Sequence, residues 1–436
     1  MSKRNIILFI IILVVIIVGV FGFLYFFQPK DQNGGTVTGT NFFANFLPFG
    51  KSKTTTPNPT PPSDVSGYVG AGDNSASYGK FKKISSFPVA GYGVFMKERF
   101  KAEEALPSPA GESKASSAIP PTEFAPALRY VNKSNGNIYQ TFADKIDERK
   151  FSNTVVPKVH EAYFGNKGDS VIMRYLKDDN KTIETYVGML QKEYLGADSI
   201  GNNEVKGSFL PENISDMSVS SDSSKIFYLF NIGDNGVGVT FDLQSSTKIQ
   251  IFDSPFTEWL SSWTNKNLIT VTTKPSGNVR GFMYAINPNK KDLNKVLGEI
   301  NGLTTLTSPD GKLVLYSDNN LSLNIFDTET REPIALGVKT LSEKCVWGAL
   351  SDVLYCAVPK YIDNEIYPDS WYQGEVSFSD QIWKIDITSG NTTLIGDPTQ
   401  ISGEEVDGTR LNLDEGQNFL FFINKKDSYL WGLKLK

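Results

Sequence analysis

Residues 307–320, TSPDGKLVLYSDNN, join a tight polar turn, Ser308 to Lys312, to an apolar run, Leu313 to Tyr316. That pairing recurs along the chain. SSDSSK precedes IFYLF at 226–230, WTNKN precedes LITV at 268–271, and GALSD precedes VLYCAV at 353–358. LDEGQN precedes FLFFI at 419–423, and GNKGDS precedes VIM at 171–173. A third strand also recurs, apolar–aromatic–x–apolar and then an Asp or its stand-in. It reads IWKID at 382–386, MYAIN at 283–287, LWGLK at 430–434 and VTFD at 239–242, beside LSLNIFD at 321–327. The closing positions 242, 287, 327, 386 and 434 lie 45, 40, 59 and 48 residues apart. A period of about 40–50 residues built from short strands is the signature of a propeller blade.

A chain of 436 residues is long for one ordinary core but not for a repeat architecture. The expected fold is therefore all-β, a seven-bladed β-propeller over 79–436. Its blades fall near 86–152, 153–207, 208–253, 254–299, 300–339, 340–400 and 401–436, and the drift of the repeat leaves six or eight blades open. The last blade runs out after its third strand. The segment KFKKISS at 80–86 can supply the missing outer strand by pairing with the C-terminal blade, which would leave no open sheet edge.

The complete turn, Ser308-Pro309-Asp310-Gly311-Lys312, with the Trp383/Asp386 and Trp431 strands, resembles the WD40-like β-propeller repeats of the TolB type. The resemblance spans about 80–436. Ser220 and Asp222 keep part of the turn without its Pro and Gly, and the Gly-His and Trp-Asp marks of true WD40 repeats are absent. The resemblance implies the fold and, for most such proteins, a binding or scaffolding role. Fold alone does not select a function.

The N-terminal part follows other rules. Residues 6–27 form an unbroken apolar run of 22 residues without charge, preceded by Lys3 and Arg4. About 20 apolar residues suffice to span a bilayer, and the flanking positive charge keeps the short end inside. The run ends in bulky GFLYFF at 22–27, without the small residues of a cleavage site and without a following Cys. The expectation is a cytoplasmic stub at 1–5, an uncleaved signal-anchor helix at 6–27 and an exported remainder; a cleaved signal peptide is the rival. Residues 28–78, rich in Pro, Thr, Gly and Ser, read as a flexible linker. Within it NFFANFLPF at 41–49 stands out as apolar.

Composition and the rare residues exclude several chemistries. The net charge is −5, with no basic stripe, so a nucleic-acid partner is not expected. His160 is the single histidine, which rules out a three-histidine zinc site and makes a Ser-His-Asp site depend on one residue without a nucleophile motif nearby. No metal or cofactor is implied. Cys345 and Cys356 flank a turn and fall opposite each other if Trp347 faces Leu354. An exported location would let them form a disulfide; two buried thiols are the alternative. The 48 acidic residues always allow a carboxylate pair, so an exported glycan-acting hydrolase using the propeller channel stays open.

One loop breaks the pattern of short connections. Residues 359–380, PKYIDNEIYPDSWYQGEVSFSD, set Tyr361, Tyr367, Trp371 and Tyr372 among Asp363, Glu365 and Asp369. Long loops in compact domains are often functional, and aromatic rings with carboxylates suit a sugar or a basic peptide. The bland alternative is that the rings fold back to seal the blade. Residues 191–213 and the loop flanked by Lys274 and Arg280 are expected on the same face, and 101–126 on the opposite one. The functional expectation is a membrane-anchored, extracytoplasmic binding or scaffold module for an envelope protein, peptide or glycan. A purely structural envelope component is a further alternative.

Overall fold

The computed structural model describes residues 81–101, 121–193 and 203–436. The expected stub, anchor helix and linker at 1–78 lie outside them, as does most of 101–126. Among the described residues no helix is long and apolar enough to cross a membrane.

Seven four-stranded antiparallel sheets form a seven-bladed propeller. Blades one to six run over 89–150, 159–209, 216–254, 259–301, 304–339 and 345–396, each in simple sequence order from inner to outer strand. Blade seven takes three strands from 408–434, and Phe81–Lys83 pairs with its third strand, Phe81 opposite Leu433 and Lys83 opposite Trp431. The outer strand of the last blade thus comes from the opposite end of the propeller sequence.

The turn that announces the repeat is held by side chains. Ser308 Oγ donates to Asp310 Oδ1 at 2.6 Å and accepts from the Leu313 amide at 2.9 Å, while Gly311 takes a positive φ of 78°. Blade three builds the same loop without Pro or Gly. Ser220 Oγ donates to Asp222 and accepts from the Lys225 amide, and Ser223 takes the left-handed φ of 57°. The motif drifts because the Ser and Asp make the turn and the other positions only ease it. The Asp that closes the third strand is likewise a turn cap: Asp327 Oδ1 accepts from the Glu329 and Thr330 amides, and Asp242 and Asp386 act in the same way.

Apolar faces of neighbouring blades interdigitate. Between blades six and seven, Phe81, Tyr355, Ile382, Leu420, Phe422 and Trp431 make one core cluster. Gly91 lets blades one and two approach, because a Cβ there would lie 1.9 Å from the Ala162 carbonyl oxygen. Inner strands run from the face carrying the second-to-third-strand loops, called upper below, to the lower face. One expected placement is corrected. Residues 206–209 form the outer strand of blade two, so 190–193 and 203–205 lie at the lower face, where its third and fourth strands connect; 210–215 reaches the upper face.

Candidate functional site: the arch of blade six and the channel mouth

The long insertion of blade six rises from Pro359 and returns at Asp380, the ends of that blade's second and third strands. It accounts for the wide spacing between Asp327 and Asp386. It builds a core of its own from Tyr367, Trp371 and Phe378 with Leu321 and Leu341. Trp371 and Phe378 stack at 6.2 Å, and Tyr367 and Phe378 at 5.7 Å. A helical turn, Asp369–Gln373, ends at Gly374 with φ 81°. The insertion crosses the short loop of blade five and reaches blade four, where Asp369 Oδ2 accepts from the Gly277 amide at 2.6 Å. A Cβ on Gly277 would meet the Tyr367 carbonyl oxygen at 2.5 Å, so that docking needs the glycine. On the other side Lys425 of blade seven donates to the Trp371 carbonyl and sits 4.3 Å from its ring centre. The insertion is therefore an arch from blade four to blade seven.

The seven site residues read from this loop do not form one exposed cluster. Tyr367 and Trp371 are buried, at 3% and 4% exposure, so for these two rings the sealing alternative describes the structure. Their apolar area is better placed against Leu321 and Leu341 than in water. Tyr361 and Tyr372 remain at the surface, 64% and 37% exposed, with Ile366 at 51%. Asp363 and Glu365 point to solvent, and Asp369 is used in the contact with blade four.

Beneath the arch lies a group of charges that the sequence reading missed. Lys344, Asp380 and Asp407 are wholly buried. Lys344 Nζ donates to Asp380 Oδ2 at 2.8 Å, to Asp407 Oδ1 and to the Gly408 carbonyl at 3.1 Å. Asp407 also accepts from Trp371 Nε1 at 2.9 Å, Ser377 Oγ at 3.0 Å and the Phe378 amide at 3.0 Å. Burial opposes ionisation of Asp407, but the Lys344 charge and these donors hold its carboxyl below the usual range. Asp380 has fewer donors, and burial pushes it up to about 6 against the pull of Lys344. These residues come from three separate loops, and no spacing in the sequence connects them.

A second group lines the central channel. Glu161 of blade two receives Arg174 and Arg410, and Tyr163 Oη donates to it at 2.7 Å. Asp216 of blade three accepts from the amide and hydroxyl of Ser261, at 2.6 and 2.7 Å. Burial opposes the charge of Glu161, yet the two arginines hold its carboxyl low; burial pushes Asp216 up to about 6. Tyr372 of the arch and Glu343 close the channel mouth over Ser261, Thr272 and Thr305, leaving a slot of about 50 Å³, room for a few waters. Burial raises the Glu343 carboxyl, whose Oε1 has no hydrogen-bond partner. His160 lies exposed at the bulged start of the blade-two inner strand. Among the described residues no group of His, Cys, Asp and Glu could hold a metal.

An open groove of about 460 Å³ on the upper face lies beside the loop bounded by Lys274 and Arg280. Phe256, 68% exposed, stands on it with Asp234, Glu258 and Lys274. Cys345 and Cys356, opposed in register, form a disulfide between the first two strands of blade six.

No protein-family model and no curated protein matches the chain. Among solved structures, an oligogalacturonate lyase in complex with manganese aligns with a TM-score of 0.46 at 11% identity, over 71% of this chain and 85% of that one. An oligogalacturonate lyase from Vibrio parahaemolyticus gives 0.48 at 8% identity, over 71% and 86%. The tricorn protease gives 0.35 at 11% identity, over 68% of this chain and 27% of that one. No activity is carried over from these neighbours.

Proposed function

We propose that the propeller is a binding module that offers its upper face, above all the arch of blade six, to an envelope protein, peptide or glycan. In this reading residues 6–27 hold it at the membrane with the propeller on the exported side. The arch carries the proposal. It has its own core, and it is fastened to blades four and seven. Its shape is thus set before a partner arrives, which lowers the ordering cost of association. What it leaves exposed is Tyr361 and Ile366 with Asp363 and Glu365, aromatic, apolar and acidic side chains suited to a basic or ring-bearing partner. The likeness of the repeat to TolB-type propellers agrees with a platform role.

The test is in-cell crosslinking and mass spectrometry, comparing wild type with Tyr361→Ala/Ile366→Ala at matched expression. Both side chains are exposed, so folding should be kept. Loss of a specific partner in the double variant is the expected result. A partner profile unchanged by the variant would remove the arch from the account, and no partner at all would count against protein binding.

One observation favours a second reading, a carboxylate-dependent hydrolase in the channel. Asp216 and Glu161 lie on neighbouring inner strands with pKa values displaced in opposite directions, the pattern of an acid and a base. The geometry favours binding, because both carboxylates are already engaged by protein donors. Glycan cleavage lost in both Asp216→Asn and Glu161→Gln would reverse that preference.

A further inference from the structure

The group under the arch holds the ingredients of a condensation. A primary amine and two carboxyls lie in contact at zero exposure. Trp371 and Phe378 cover the amine, with ring centres 5.3 and 5.2 Å from Lys344 Nζ. The two acids differ in their surroundings. Asp407 is surrounded by donors. Asp380 has one oxygen held by the Gly408 amide at 2.7 Å and by Lys344, while its Oδ1 has no partner. One acid is held ionised beside the ammonium and is the nearest acceptor for its proton. The other presents a carbonyl carbon with a polarised oxygen and a free leaving oxygen.

We propose that Lys344 and Asp380 of the folded blade condense to an isopeptide bond, with Asp407 as the proton acceptor. Burial favours the protonated form of Asp380, while the two carboxyls strengthen the hold on the Lys344 proton, so its transfer to Asp407 is the uphill step. Lys344 passes a proton to Asp407, and the freed Nζ lone pair attacks Cγ of Asp380. The developing charge on Oδ2 is met by the Gly408 amide, the arrangement of an oxyanion site. The Cγ–Oδ1 bond breaks and Oδ1 leaves as water. One proton stays on the amide nitrogen, two leave in the water and one remains on Asp407, so charge and atoms balance without a co-reactant. Burial replaces the encounter of the two groups by a fixed contact, and dryness disfavours the reverse hydrolysis. The bond would tie the entry of blade six to its third strand, one residue from the Cys345–Cys356 disulfide. It does not depend on what the upper face binds.

The test is tryptic mapping of the full-length chain after reduction and alkylation. The expected product joins residues 340–360, uncut after Lys344, to residues 361–384, lighter by one water than the sum of the two peptides. Recovery of free 340–344 and 361–384 peptides in full yield would overturn the proposal. A link from Lys344 to residues 385–410 would overturn the choice of Asp380 as the acceptor carbon. Asp407→Asn, folded by circular dichroism, should remain unlinked; a linked variant would overturn the role of Asp407. If that variant does not fold, the wild-type map still decides whether the bond exists.

Discussion

Trp371 is the residue on which the arch should stand or fall. Its indole is buried against Phe378 and Leu321, its Nε1–H serves the Asp407 carboxylate, and Lys425 lies over its face. Trp371→Ala removes the packing and leaves a cavity, at a cost of about 3–5 kcal/mol. Trp371→Phe keeps most of the ring and removes one charge-assisted donor, at about 1.5–3 kcal/mol. The loss should be local, because the arch is an insertion between two strands that stay paired without it. Hydrogen exchange by mass spectrometry over 361–384 reads it directly. The Ser370 and Tyr372 amides, bonded to the Ile366 and Pro368 carbonyls, report opening of the arch. A loss of about 3 kcal/mol should speed their exchange by about two orders of magnitude in the alanine variant, with an intermediate effect in the phenylalanine variant. Rates within about threefold of wild type in both variants would refute the reasoning, and the arch would not be a pre-built platform.

Three other outcomes follow from the same structure. The folded-state pKa of Asp216 is raised from 3.8 to about 6, so the penalty for its charge is absent below about pH 4 and complete above about pH 6. Asp216→Asn should therefore raise the free energy of unfolding in urea at pH 7.5, by about 1–2 kcal/mol after discounting for its half-buried position, and leave it unchanged at pH 4. The disulfide closes a loop with a sequence separation of 11, so Cys345→Ser/Cys356→Ser should lose about 2–3 kcal/mol in equilibrium denaturation. Gly91→Ala drives a methyl group into the Ala162 carbonyl, and a loss of about 3 kcal/mol or more, read as a lowered melting temperature, is expected.

The propeller is legible in the sequence because its turns are made by side chains that leave a mark. Ser and Asp at 308 and 310, or at 220 and 222, hydrogen-bond their own loop, and an Asp at 242, 327 or 386 caps the next one. Strand alternation then fixes the register, which is why Cys345 can be set opposite Cys356 from the turn alone. The outer strand of blade two was misplaced because 206–209 is wholly exposed and has no apolar alternation to reveal it. The arch is visible as a long loop, but which of its rings face inward is not, because Leu321 and Leu341, which bury Tyr367 and Trp371, lie in other loops. The channel charges are hidden for the same reason. Glu161 and Arg410 meet across the ring closure, and Lys344, Asp380 and Asp407 meet only when blades six and seven are stacked.

The central claim is that this protein engages a partner through its upper face, at the arch. The most direct measurement places a photo-crosslinking amino acid at Tyr361, 64% exposed on the arch, and separately at Leu350, 79% exposed in the first loop of blade six on the lower face. Irradiated in the cells that make the protein, position 361 should yield a discrete crosslinked species and position 350 should not. Equal labelling from both positions, or a species only from position 350, would contradict the account.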